Sequence, residues 1–269
     1  MIDIRDLMKT EKSETYSKEE FLEMKVKWFN ETRGTLNLED GIECEECKNK
    51  GMITYIKETD GRLYEYSKEC SCMKRRKIFN RARKSGLGEY LNKRSNDYIA
   101  TQDWQVENKK LMIEYCTKET DSETWFIALG QSGSGKTLLC SIIANHLLFN
   151  LGKAVMYITW TDFISKLKRD MMSDGTKLVS SYLEEVKNAE VLFIDELLKK
   201  YTETDLKYII EIINYRYTNN LKTIITSERN IDNLLDIDEA TFGRVIEKAQ
   251  HFVINTPKDR TKNYRLRFL

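Results

Sequence analysis

Residues Gly130-Gln131-Ser132-Gly133-Ser134-Gly135-Lys136-Thr137 fit the pattern G-x-x-x-x-G-K-[ST] in full. The glycines Gly130, Gly133 and Gly135, with Ser134 between the last two, let backbone N–H groups wrap a polyphosphate. A helix opening at the end of the loop adds positive partial charge there. Lys136 is expected to reach the β- and γ-phosphates, and Thr137 to ligate magnesium. The chemistry implied is binding of a nucleoside triphosphate as its magnesium complex, with ATP the expected nucleotide.

A second acidic motif follows. Val191-Leu192-Phe193-Ile194-Asp195-Glu196 is an apolar run ending in two carboxylates. Asp195 stands where an acid holds magnesium, directly or through water. Glu196 can orient and activate a water beside the γ-phosphate, which means hydrolysis. The run Lys222-Thr223-Ile224-Ile225-Thr226-Ser227-Glu228 ends in polar side chains, and Ser227 or Glu228 is expected to sense the γ-phosphate. Arg244, after a long helical stretch, is the candidate for stabilising phosphoryl-transfer charge on a neighbouring subunit. Arg216 is a weaker candidate for such a contact, and otherwise a helix arginine laying its stem on apolar surface.

Cys44-x-x-Cys47 and Cys70-x-Cys72 bracket two strand-like runs, 52–56 and 63–66, around an Asp60-Gly61 turn signal. A hairpin would bring the pairs together, and four thiolates would close a tetrahedral zinc site. Cys116 and Cys140 have no such partners, and His146 and His251 read as structural. Lys74, Arg75, Arg76, Lys77, Arg81, Arg83 and Lys84 form a basic stretch. It fits either phosphate contacts or the solvated face of a linker helix. Arg260, Lys262, Arg265 and Arg267 form a second such run.

These groups need elements to position them. From about residue 125, short apolar runs at 125–129, 155–158, 191–194, 223–226 and 252–254 alternate with helical periodicity at 137–148 and 206–217. Runs of that kind suit strands buried on both faces, so the expectation is α/β with a parallel five-stranded sheet. Residues 20–29 carry helical spacing. The expected organisation is 1–73, a small helical and zinc-hairpin domain; 74–100, a basic linker; and 101–269, the nucleotide domain.

The chain has 269 residues and a formal net charge of +1, so no global field draws it to nucleic acid and any such binding uses local patches. No apolar run approaches the ~20 residues that span a bilayer. The start, Met1 to Asp6, is polar and acidic rather than secretory. A cytoplasmic location is expected, where the six cysteines stay reduced.

Taken together, the cysteine pairs, residues 130–137 and 192–198, Ile212-Ile213-Asn214-Tyr215-Arg216-Tyr217 and the ending Asn263-Tyr264-Arg265-Leu266 resemble the DnaC/DnaI-type helicase loaders of the AAA+ ATPases. The versions from Gram-positive bacteria and their phages are the most similar. The resemblance implies an AAA+ fold whose N-terminal domain docks on a hexameric replicative helicase. It also implies that the ATPase domain binds ATP and single-stranded DNA. A finger at Arg244 would build a ring or spiral of subunits. Gly243 stands where similar proteins often have serine, and Ser227-Glu228 where many have Ser-Asn. Three alternatives remain: a transposase-helper ATPase of the IstB type, whose usual architecture lacks the zinc hairpin; a P-loop kinase, which Glu196 and Arg244 disfavour; and an adaptor with a degenerate site, which intact Lys136, Thr137, Asp195 and Glu196 disfavour.

Overall fold

The computed structural model describes residues 16–119, 122–172 and 176–266. The acidic start and Arg267 lie outside the described residues. The chain divides into two compact units, residues 1–79 and 80–269.

In the first unit, helix α1 (Lys18–Glu31) begins at a reciprocal cap, in which Ser17 accepts from the Glu20 amide and Glu20 accepts from the Ser17 amide. A short helix α2 (Leu36–Asp40) precedes the cysteine zone. Strands β1 (Met52–Thr59) and β2 (Arg62–Glu69) pair antiparallel along their full length, with Thr59 opposite Arg62. Asp60 and Gly61 have φ of 51° and 72°, the two positive values that a tight two-residue hairpin requires. The strands run longer than the apolar runs, because pairing continues through polar residues once the turn fixes the register. Helix α3 (Cys72–Lys84) follows, and the division of the chain falls within it.

The second unit holds helix α4 (Asp103–Lys118), then strand β3 (Phe126–Gly130), helix α5 (Lys136–Phe149), strand β4 (Val155–Thr159) and helix α6 (Trp160–Met172). It continues with α7 (Thr176–Asn188), β5 (Val191–Asp195), α8 (Glu203–Thr218), β6 (Lys222–Ser227), α9 (Ile231–Leu235), α10 (Glu239–Ala249) and β7 (Val253–Thr256). The five strands pair in the order β4-β5-β6-β3-β7, all parallel. Side-chain alternation splits the sheet between two apolar layers. Ile127, Leu129, Leu192, Ile194 and Ile225 pack with α6, α7, α8 and α10. Phe126, Ala128, Val191, Phe193 and Ile224 pack with α4 and α5. This is the α/β sandwich expected from the sequence. Because β6 lies between β3 and β5, its polar C-terminal end stands between the phosphate loop and the acidic motif.

Candidate nucleotide site and metal centre

The loop after β3 turns where only glycine fits. Gly135 has φ 88° at the N-cap of α5, and a Cβ there would meet the Tyr98 ring at 2.9 Å. A Cβ on Gly130 would collide with the Thr256 carbonyl. No side chain caps α5, so its first amides face the loop. Lys136 Nζ donates to the carbonyls of Gly130 and Gln131 at 2.9 and 2.7 Å. Burial lowers its pKa, against the opposing pull of Glu228 and Asp195. Ser134 is buried, its hydroxyl donating to Gln131 O.

The acidic motif meets this loop. Thr137 Oγ1 donates to Asp195 Oδ1 at 2.9 Å, and the Tyr157 hydroxyl donates to Oδ2 at 3.0 Å. Burial, reinforced by the Asp195 charge, raises the pKa of the Tyr157 phenol and keeps it protonated. Thr226 donates its hydroxyl to Asp195 and accepts the Glu196 amide at 3.0 Å. Thr226 is thus the side chain that joins β6 to the acidic motif, and the sequence reading passed it over. Ser227 borders the same cleft, but strand alternation turns its hydroxyl onto the Leu197 carbonyl at 2.7 Å. Glu228 also borders the cleft.

Glu196 has φ 55°, a left-handed conformation costly for a non-glycine residue and recurrent at active sites. Its carboxylate pairs with Lys199 at 2.7 Å, which raises the Lys199 pKa. Glu228 lies 3.9 Å from the same ammonium.

A C-terminal segment closes over the loop. Asp259 N donates to Gln131 Oε1, and Tyr264 N donates to Gly133 O. These bonds bring Arg265 to the rim of the cleft that Lys136 and Glu196 line. The sequence offered Arg265 only as part of a basic run and of the family-like ending. Its distance of more than a hundred residues from the loop hid this placement.

Arg244 and Arg216 do not line that cleft. Arg244, half-buried on α10, donates to Asn214 Oδ1 at 2.5 Å and stands 5.7 Å from the Tyr217 ring. Arg216 is fully buried, so it is neither a finger nor a snorkelling surface arginine. Burial pushes its pKa down, while Thr223 Oγ1 and the carbonyls of Lys187, Ala189 and Lys222 accept from its charged form.

The four cysteines of the first unit converge. The sulfurs of Cys44, Cys47, Cys70 and Cys72 lie within 4.8 Å of one another, with Cys44–Cys70 at 3.8 Å and Cys47–Cys72 at 3.6 Å. Four sulfurs bound tetrahedrally at ~2.3 Å would stand about 3.8 Å apart, so the cluster fits a zinc-binding motif. The Gly51 amide donates to Cys47 Sγ. Burial opposes ionisation of Cys47, yet that amide and the neighbouring thiols bring its pKa down to about 7. Cys116 and Cys140 lie elsewhere, and burial raises both thiols.

The basic stretch does not form one free face. Arg76 is buried, pairing with Asp40 at 2.5 Å and donating to Ile42 O. Its role is to hold α3 to the cysteine zone, and it is withdrawn from any phosphate contact. Lys77 pairs with Glu69, and Arg81 donates to the Gly152 carbonyl.

The IstB-like ATP binding protein family matches residues 63–263. The chain belongs to this family. The phage-like element PBSX protein XkdC of Bacillus subtilis is 30% identical over 230 residues, which covers 79% of this chain and 81% of that protein. The replicative helicase loader DnaC of Buchnera aphidicola subsp. Acyrthosiphon pisum is 29% identical over 157 residues, covering 57% and 61%. A crystal structure of the DnaC helicase loader superposes with TM-score 0.55 at 22% identity, over 62% of this chain and 99% of that one. The chain is therefore a DnaC-like AAA+ ATPase that binds ATP. Among the described residues, no helix is long and apolar enough to cross a membrane.

Proposed function

We propose that this chain loads a hexameric replicative helicase onto single-stranded DNA, using ATP in sites shared between neighbouring copies. The observation that carries the ATP chemistry is the linked set Thr137–Asp195–Thr226–Glu196 beneath an intact phosphate loop. In this reading Lys136, the α5 amides and Arg265 bind the phosphates. Thr137 and Asp195 hold magnesium, which supplies charge neutralisation when bound. Glu196, released from Lys199, orients the attacking water, and Thr226 fixes the backbone that aims it. The γ-phosphate would be sensed from the Ser227-Glu228 end of β6.

Arg244, which lies outside its own cleft, adds positive charge to the site of the next copy in this reading. Such a head-to-tail contact builds a ring or open spiral. The N-terminal unit, within residues 1–73 by the sequence and with a basic linker at 74–100, serves as the helicase-facing handle. Zinc held by Cys44, Cys47, Cys70 and Cys72 fixes its shape. Phe21, Met24 and Trp28 form an exposed apolar stripe on α1, the kind of surface that partner proteins cover.

A transposase-helper role is the second reading, favoured by the IstB-like description of the family. The identity to a protein named as a helicase loader favours loading. The deciding experiment mixes the purified chain with a hexameric replicative helicase and ATP, then measures complex mass and transfer of the helicase to circular single-stranded DNA. The loader reading expects a complex and faster DNA occupancy; no complex at micromolar concentrations would refute it.

A further inference from the structure

The β1–β2 hairpin sorts its charges by face. In an antiparallel pair, cross-strand partners share a face and successive residues alternate. The register sets Ile53 opposite Lys68, Tyr55 opposite Tyr66, Lys57 opposite Tyr64 and Thr59 opposite Arg62. That face therefore carries three tyrosines, three cations and no acid. The opposite face carries Glu58, Glu65 and Glu69 and no cation. Helix α1 takes the acidic side, where Lys25 pairs with Glu65 at 2.5 Å.

The tyrosine side stays open. Tyr55, Tyr64 and Tyr66 are 41%, 45% and 40% exposed. The Tyr55 and Tyr66 rings lie 6.0 Å apart and 25° from parallel, a stacked pair on this face. Lys57, Arg62 and Lys68 are exposed, and none makes an ion pair among the described residues. The field of Lys68 does reach Glu46, whose pKa it helps to lower. A solvated strand face of ordinary composition would mix both charge signs and would not gather three rings. A protein partner would need an acidic surface that also covers aromatic rings. An unpaired nucleic-acid strand offers both complements at once: base faces for the rings and phosphates for the cations.

We propose that the face formed by Tyr55, Tyr64 and Tyr66 with Lys57, Arg62 and Lys68 binds single-stranded nucleic acid by stacking. Three rings on a sheet face suit about two or three bases. Binding here is independent of sequence and of nucleotide. A duplex binds more weakly, because its base faces are already stacked. This inference stands on the hairpin alone and does not require the loader reading.

The test uses the full chain without nucleotide and follows the anisotropy of labelled oligothymidylate and oligouridylate. Tyr55→Ala with Tyr66→Ala should weaken both strands about tenfold or more, while Tyr55→Phe with Tyr66→Phe stays within about twofold. Lys57→Gln, Arg62→Gln and Lys68→Gln together should lower the salt slope by about 2, at about 0.7 per phosphate. These exposed substitutions keep the fold testable if the alanine pair disturbs it. The tighter of the two strands identifies the occupant. Parent-like binding by both the alanine and glutamine variants overturns the proposal, as does equal binding of a duplex. If the alanine variant keeps nucleic acid but loses a helicase complex, the face docks protein: this inference falls and the loader reading stands. If the hairpin binds strands as described but no helicase complex forms, the reverse holds.

Discussion

The unit at 80–269 buries two apolar layers, one on each face of its sheet, with Trp125, Trp160, Phe163, Phe193 and Phe252 fully enclosed. Among the described residues of the unit at 1–79, the buried apolar side chains are Ile42, Cys47 and Cys70. Its other buried side chains are polar: Asp40, Asn49, Thr54 and Arg76. A hydrophobic core holds the larger unit without help. The smaller unit has too little apolar area for that and relies on its cysteine cluster and one buried ion pair. The same contrast separates the work. The sheet fixes the ATP site to within hydrogen-bond tolerance, while the small unit keeps large apolar and aromatic side chains exposed on α1 and on one face of its hairpin.

The largest expected effect breaks this comparison at the metal. Structural zinc contributes about 10–16 kcal/mol to folding in small domains. Cys47→Ser, or a strong chelator, should therefore unfold the first unit and leave ATP binding by the second intact. Limited proteolysis with nucleotide titration reads both at once. A protease-resistant first unit holding no zinc would show that its fold rests on other contacts.

A matched pair of arginines sharpens the comparison. Arg76→Ala leaves Asp40 buried without its partner, at a cost of about 3–5 kcal/mol. That should exceed what the small unit can bear, so proteolysis should clear it selectively. Arg216→Ala leaves the carbonyls of Lys187, Ala189 and Lys222 without their donor, at about 1–3 kcal/mol for each group that water cannot reach. The larger unit should survive with a lowered melting temperature. Equal loss in both units would mean that their stabilities do not differ in kind.

The smallest structural effect falls at Glu196, the proposed water-orienting carboxylate. Glu196→Gln removes that charge and its pair with Lys199, not a packed group. Turnover should drop about 100-fold or more while ATP affinity and melting stay unchanged. Unaltered turnover would take Glu196 out of the chemistry.

The sheet of the larger unit was legible in the sequence because each of its strands carries a short apolar run, and β3, β5 and β6 are buried along their whole length. The phosphate loop and acidic motif were legible because local spacing makes them. Thr226 was not, since a threonine inside an apolar run is indistinguishable from an ordinary strand residue until β6 is known to lie between β3 and β5. Arg76 and Arg216 misled for the opposite reason. Arginine in a charged or helical stretch reads as surface, and only tertiary contacts with Asp40 or with backbone carbonyls reveal it as buried. The hairpin's sorted faces needed a register, which the Asp60-Gly61 turn supplies but the run lengths did not.

The claim that the ATP site is shared between copies is tested most directly by mixing two inactive proteins. Lys136→Ala lacks the phosphate-binding half, and Arg244→Ala lacks the neighbour's half. Each alone should fail to show ATPase activity stimulated by helicase or single-stranded DNA, since an arginine of this kind contributes about 10³–10⁵ in rate. Mixed assemblies contain some interfaces with both halves intact, so activity should recover on mixing. No recovery, in assemblies whose mass confirms that both proteins are present, would contradict a site completed in trans by Arg244.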